Sequence, residues 1–205
     1  MSNTGTLFTV SAPSGAGKTS LVNALVEQVD QLKVSISHTT RPMRPGELDG
    51  TNYHFVEEQR FRQMLDKSEF LEYAQVFGNL YGTSQSWVNE QLQQGIDVIL
   101  EIDWQGAQQV KRLITDTRCI FILPPSKAAL SQRLTARGQD DGDTIAARMA
   151  KAVEEMSHYV EGDYLIVNHD FDTALSQLQS IILSHRLRAS RQQIDLAPLL
   201  SELLS

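Results

Sequence analysis

The residues best suited to chemistry lie near the N-terminus, in the run Ser11-Ala12-Pro13-Ser14-Gly15-Ala16-Gly17-Lys18-Thr19. Glycines let successive backbone N–H groups turn inward around an anion, and a following helix adds the partial positive charge of its N-terminus. Lys18 stands where it can reach the β- and γ-phosphates of a nucleotide, and the Thr19 hydroxyl stands where it can ligate Mg²⁺. The pattern G-x-x-x-x-G-K-[ST] is met except at its first glycine, which is Ala12 here. A small residue is what that position requires, so the departure is tolerable. The run reads as a nucleoside triphosphate site.

Such loops serve motors, switches, transporters and small-molecule kinases, so the loop alone does not name a reaction. Arg41 and Arg44 lie three residues apart in the Pro/Gly-stiffened segment Ser37 to Glu47. They can fork around one phosphate, or equally be a solvated charge pair. Glu101 and Asp103 close an apolar run, where a phosphate-loop protein places a metal- or water-orienting acid, and residues two apart on a strand share a face. Arg133 and Arg137 lie four apart on one predicted helix face, with Arg148 on the next helix.

Positioning these groups requires a parallel sheet. Apolar runs at Leu7 to Ser11, Val98 to Ile102, Cys119 to Leu123 and Tyr164 to Val167 read as buried strands, with a fifth over Val34 to Ser37. Helical periods separate them at Thr19 to Val29, Gln105 to Leu113, Lys127 to Arg137, Thr144 to Tyr159 and Phe171 to Arg191. The stretch Thr39 to Gln94 breaks the rhythm. Tyr53 to Val56 and Phe70 to Ala74 there read as antiparallel strands of an inserted α+β subdomain. The polar, glycine-bearing turn Gly138 to Asp143 reads as a mobile lid.

The chain has 205 residues, 41% of them hydrophobic and 21% charged, which suits one ordered domain with insertions. Its formal net charge of −7 opposes a general nucleic-acid-coating role, so any anionic ligand must be held by a local cluster of cations. The single cysteine, Cys119, excludes an internal disulfide framework and reads as core filling. No secretory signal and no membrane span is legible, so the expected location is the cytoplasm. The histidines lack metal-ligand spacing, and no zinc site is expected. Trp104 and the stripe Leu175, Leu178, Ile181, Ile182 and Leu187 read as core. After a polar break at Arg191-Gln192-Gln193, the tail Leu196, Leu199, Leu200, Leu203 and Leu204 has helical spacing and suits docking on the body or on a second subunit.

Beyond these local readings, the chain resembles the guanylate kinase family. The matching segments are the phosphate loop, Ser37 to Glu47, Gly50-Thr51-Asn52-Tyr53, Phe70-Leu71-Glu72, Gly78 to Thr83, Glu101 to Gly106, Arg133 to Gly138 and Ile166-Val167-Asn168, in the family's order and spacing from about residue 7 to 190. The resemblance implies an α/β fold of P-loop NTPase type: a parallel sheet flanked by helices, an inserted α+β GMP-binding subdomain and a helical lid. It implies a core of residues 1–38, 95–132 and 160–205, a GMP-binding subdomain of 39–94 and a lid of about 133–159. The implied reaction transfers the γ-phosphoryl group of ATP to GMP, with Mg²⁺, in guanine nucleotide metabolism.

By that resemblance Ser11 to Thr19 and Asn168 would hold ATP. Arg41, Arg44, Tyr53 and Tyr81 would hold the GMP phosphate with Ser37 and Glu47 nearby, and Glu101 and Asp103 would complete the acceptor site. Glu72 and Thr83 would read the base. Guanine presents N1–H and N2–H₂ donors on one edge, which a carboxylate accepts together, whereas adenine offers a lone pair at N1. Lys18, Arg41, Arg44, Arg133, Arg137 and Arg148 would compensate charge in a loose transition state, and lid closure would exclude water. The family usually has Asp at the position of Glu101 and at that of His169. Two other readings compete: a catalytically inactive binding module of the same fold, and a kinase for another nucleoside monophosphate. Use of dGMP and a second copy of the chain as partner stay open.

Overall fold

The computed structural model describes residues 4–76, 78–136 and 142–205. Continuous apolar runs form the strands of a five-stranded sheet: β1 (Leu7–Ser11), β2 (Leu32–Val34), β7 (Asp97–Glu101), β8 (Arg118–Leu123) and β9 (Tyr164–Val167), in the order β2-β7-β1-β8-β9. Every pairing in it is parallel; Thr9 lies between Leu100 and Cys119. Alternating side chains feed two layers. Phe8, Val10, Ile99, Ile120 and Ile122 pack against helices α1 (Lys18–Gln28) and α7 (Phe171–Arg186). Leu7, Val98 and Leu100 pack against α3 (Gln85–Gln93) and α4 (Trp104–Leu113). Both faces are covered, which is why these strands read as uninterrupted apolar runs rather than alternating ones.

A second sheet has the order β4-β3-β6-β5, from β3 (His38–Thr39), β4 (His54–Phe55), β5 (Phe70–Val76) and β6 (Asn79–Ser84), with α2 (Glu58–Asp66) beside it. Phe61 and Met64 of α2 close on Phe70 in a small core of their own. The two sheets meet where Leu71 of β5 enters the α3–α4 layer. There the Gln109 side chain on α4 donates to the Tyr73 carbonyl at 2.8 Å and accepts from its amide at 3.2 Å. A side chain thus completes the exposed edge of β5. The remaining elements are α5 (Lys127–Ala136), α6 (Gly142–Ser157) with a 3-10 turn over His158–Glu161, and the short helices α8 (Ala189–Asp195) and α9 (Ala197–Leu203).

Several expectations change. The fifth strand lies at Leu32–Val34, not Val34 to Ser37, because after one further bond from the Ser35 amide to the Ile99 carbonyl the chain leaves for the second sheet. The segment at His54–Phe55 pairs in parallel with β3, not antiparallel; only β5 and β6 form an antiparallel hairpin, with β6 antiparallel to β3 as well. The helix expected over Phe171 to Arg191 stops at Arg186 and restarts at Ala189. Buried Asp97 dictates the break, since it takes Arg186 Nε at 2.7 Å and Arg191 NH1 at 2.9 Å. On one continuous helix, side chains five apart would point about 140° apart and could not share one carboxylate. Leu187, expected in the core, is consequently 71% exposed. Gln192 and Gln193 belong to α8 rather than to a break. Trp104 is half-buried and stacks on His158 with ring centroids 3.5 Å apart. Cys119 is buried, as expected. The lid turn falls mostly on residues 138–141, outside the described residues.

Candidate active site

The carboxyl ends of the central strands open into one crevice, as expected where neighbouring strands of a parallel sheet lead their chains in opposite directions. Strand β1 delivers the glycine loop, β7 delivers Glu101, Ile102 and Asp103, and β9 delivers Asn168. The cleft they share with the second sheet has a volume of about 340 Å³.

Gly15 and Gly17 sit at φ 89° and 93°, where a side chain is strained, and α1 starts at Lys18 without any side-chain cap. The loop's amides are therefore left for a ligand rather than spent on a capping hydroxyl. Its carbonyl face is tied down from beneath: Asn168 Nδ2 donates to the Ala16 carbonyl at 2.7 Å, and Arg133 donates to the carbonyls of Ala16 and Asn168 at 3.4 and 3.0 Å. A Cβ at residue 17 would lie 2.5 Å from that Asn168 nitrogen, a second reason for glycine there. Sequence reasoning gave Asn168 to ATP and Arg133 to the reacting phosphates; the structure places both side chains against the loop's backbone. Ser11 and Ala16 are buried, whereas Ala12, Pro13, Ser14, Gly15, Gly17, Lys18 and Thr19 line the cleft. Lys18 donates to the Ile102 carbonyl at 3.3 Å, and the Thr19 hydroxyl donates to Glu101 Oε2 at 2.8 Å.

The second sheet supplies the opposite wall through Ser37, Arg44, Tyr53, Glu72 and Tyr81. Glu72 is 3% exposed; its Oε1 accepts from the Thr83 hydroxyl at 2.5 Å. Burial pushes its carboxyl up to about 7, with the Thr83 hydrogen bond pulling the other way. Gly106 makes room for it, since a Cβ there would meet Glu72 Oε2 at 2.6 Å. Asp103 also lines the cleft and caps α4 by accepting from the Gly106 amide at 2.9 Å.

The two arginines of the turn diverge. Arg44 faces the cleft. Arg41 forks instead onto Glu47, at 2.7 and 3.0 Å, and lies over the Tyr53 ring at 5.4 Å. The Glu47 hydrogen bonds raise the Arg41 pKa and hold the Glu47 carboxyl below its ordinary value. Glu47 also accepts from the Arg44 amide at 2.8 Å, which fixes the turn between the two arginines. Arg148 reaches the cleft from α6, while Arg137 lies outside the described residues.

Of the charged residues lining the cleft, Glu155 is the one that the sequence motifs do not single out. Glu155, on α6, accepts from the Ser14 amide of the loop at 3.2 Å. Its spacing of seven from Arg148 puts the two on one helix face, a signal that was available but weak among several acids. The role of Gly106 is not legible either, because a need for space beside a buried carboxylate has no local sequence mark.

Comparison with known proteins completes the picture. The guanylate kinase family profile matches residues 4–185. The guanylate kinase of Saccharophagus degradans is 60% identical over all of both chains. Those of Pseudomonas fluorescens strain Pf0-1 and Vibrio cholerae are 58% and 55% identical over 98% of each chain. The crystal structure of guanylate kinase from Anaplasma phagocytophilum superposes with a TM-score of 0.77 at 31% identity, covering 93% of this chain and 91% of that one. With a profile spanning most of the sequence and full-length relatives at this identity, the chain belongs to the guanylate kinase family.

Proposed function

We infer that the protein transfers the γ-phosphoryl group of ATP to GMP, giving ADP and GDP. The observation that carries this reading is one cleft with a glycine loop on one wall and a buried carboxylate, Glu72, on the other. The first suits a polyphosphate and the second a guanine edge. A binding module without activity would have no use for Lys18 at the loop, and an adenine acceptor would set its N1 lone pair against Glu72.

In this reading the loop amides and Lys18 hold the donor phosphates, while Arg44 and the tyrosines Tyr53 and Tyr81 face the acceptor phosphate. Arg41 exchanges part of its pairing with Glu47 for that phosphate. The acceptor is already anionic near neutral pH, so no general base is required, and alignment with charge compensation supplies the catalysis. Arg148 adds a cation from the lid helix; Arg137 would add another. Asn168 and Arg133 act by fixing the loop's carbonyl face. We take the division into a core, a subdomain of 39–94 and a lid of about 133–159 from the two sheets and the course of α5 and α6, with exceptions at residue 38 and at α3. Residue 38 already pairs in the second sheet, and α3 packs on the first.

The Thr19 hydroxyl, with Glu101 at 2.8 Å and Asp103 nearby in the cleft, offers the hard oxygen donors that Mg²⁺ takes. Among the described residues no group of three or more His, Cys, Asp or Glu side chains could hold a metal alone, which suits an ion that arrives with its nucleotide. Bound there, it would neutralise developing charge on the β- and γ-phosphate oxygens. Among the described residues no helix is long and apolar enough to cross a membrane. A coupled ADP-release assay with ATP, Mg²⁺ and each nucleoside monophosphate in turn tests the reading. Turnover is expected with GMP; turnover with AMP and none with GMP would overturn it.

A further inference from the structure

The Ser14 amide faces the cleft from the phosphate loop, yet its partner in this structure is a side chain. Glu155 Oε2 accepts its N–H at 3.2 Å across 141 residues of sequence. The carboxylate sits on α6, the same helix that presents Arg148 to the cleft two turns earlier, and both line the cavity. Burial raises the Glu155 carboxyl above the ordinary range, while the Ser14 amide opposes that rise by favouring the charged form. Lys151, Lys18 and Asp103 are the other charges acting on it.

We propose that Glu155 is a positioning residue that competes with the donor phosphates for the phosphate loop, so that binding of ATP must displace it and with it that face of α6. The inference rests on the loop being the ATP phosphate site. The Ser14 N–H is one donor and cannot serve a carboxylate and a phosphate oxygen at full strength together. A carboxylate beside a polyphosphate is also repelled in a partly desolvated cleft. Arg148, on the same helix face, is attracted by the same phosphates. The polyphosphate therefore drives Glu155 off the loop and draws Arg148 toward it, which moves α6 rather than merely loading it. Glu155 also opposes retention of ADP after transfer, since the same carboxylate returns to the amide that the departing phosphates release.

The test uses the full chain and measures binding by calorimetry without GMP for ATP, without ATP for GMP, and separately for inorganic tripolyphosphate. Glu155→Gln keeps the shape and removes the charge; Glu155→Ala removes both. Either is expected to tighten ATP and tripolyphosphate by a common factor of about 3- to 10-fold, the scale of one partly exposed charge-assisted hydrogen bond, with GMP affinity unchanged. In turnover, KM for ATP falls while kcat does not rise. A residue that merely braces α6 would on removal weaken ATP binding or leave it alone. Unchanged or weaker ATP binding in Glu155→Gln overturns the proposal, as does tighter ATP binding without tighter tripolyphosphate binding. If Glu155→Ala does not fold, Glu155→Gln alone decides. Failure of tripolyphosphate to compete with ATP on the wild-type protein would instead remove the loop assignment beneath it.

Discussion

Replacing Glu72 by Gln probes base selection and stability at once, in opposite directions. Glu72 would accept both N1–H and N2–H of guanine, and hydrogen bonds to a charged group contribute about 1.5–3 kcal/mol each. Gln keeps one accepting oxygen and turns its NH₂ toward a donor, so about 2–4 kcal/mol of GMP binding is lost, or about 30- to 1,000-fold in KM for GMP. KM for ATP should hardly move. The pH dependence separates this from general damage. With its carboxyl at about 7, Glu72 is half protonated near neutrality, so wild-type affinity for GMP weakens as pH falls through 7 and levels off above it. The GMP phosphate titrates nearby, but it does so in both proteins, and the ratio of variant to wild-type KM isolates Glu72. Stability moves the other way. A carboxyl raised from 4.5 to about 7 by folding destabilises the native state as pH rises across that window, by about 3 kcal/mol above it. Glu72→Gln should therefore unfold at a higher temperature than wild type at pH 8, an advantage that disappears at pH 4.5. Coupled kinetics from pH 5.5 to 8.5 and thermal melts at the two pH values are the assays. An unchanged KM for GMP, or a KM ratio independent of pH, refutes the role of Glu72.

Gly106→Ala should reproduce part of this phenotype without touching the carboxylate. Its Cβ would lie 2.6 Å from Glu72 Oε2, so KM for GMP rises on the order of tenfold with the ATP side intact, read in the same assay. Lys18→Ala should nearly abolish turnover, by about three orders of magnitude or more, while calorimetry still finds GMP bound at close to wild-type affinity. Asp97→Ala leaves Arg186 and Arg191 without their buried partner, and the Thr6 amide without its acceptor. It should cost about 3 kcal/mol in denaturant unfolding, with KM values unchanged in the protein that remains folded.

Much of the frame was legible because its cause is local. Buried parallel strands are continuous apolar runs, so Leu7–Ser11 and Tyr164–Val167 match to the residue and Asp97–Glu101 and Arg118–Leu123 to within one, whereas Leu32–Val34 shares only Val34 with the expected run. The second sheet was harder. Its strands β3 and β4 span two residues each, too short for a period, and their parallel pairing depends on how the Arg41 to Tyr53 turn returns. Helices α2 and α3 are short, and their marks are slight: Ser84 caps α3, and Phe61 and Met64 form the inner face of α2. The bend between α7 and α8 could not be read from its own residues, because the carboxylate that requires it lies about ninety positions earlier.

By itself the sequence determined the chemistry available: a glycine loop with Lys18 and Thr19, arginines in a stiff turn, and acids at a strand end. These are carried by residue type and short spacing, which the chain displays directly. Tertiary structure decided how each group is used. Packing, not composition, buries Glu72 and moves its carboxyl toward 7; it turns Arg41 onto Glu47 and Arg133 and Asn168 onto the Ala16 carbonyl of the loop; it brings Glu155 to an amide 141 residues away. Desolvation and long-range contact depend on neighbours that only the fold selects, and no local pattern records them.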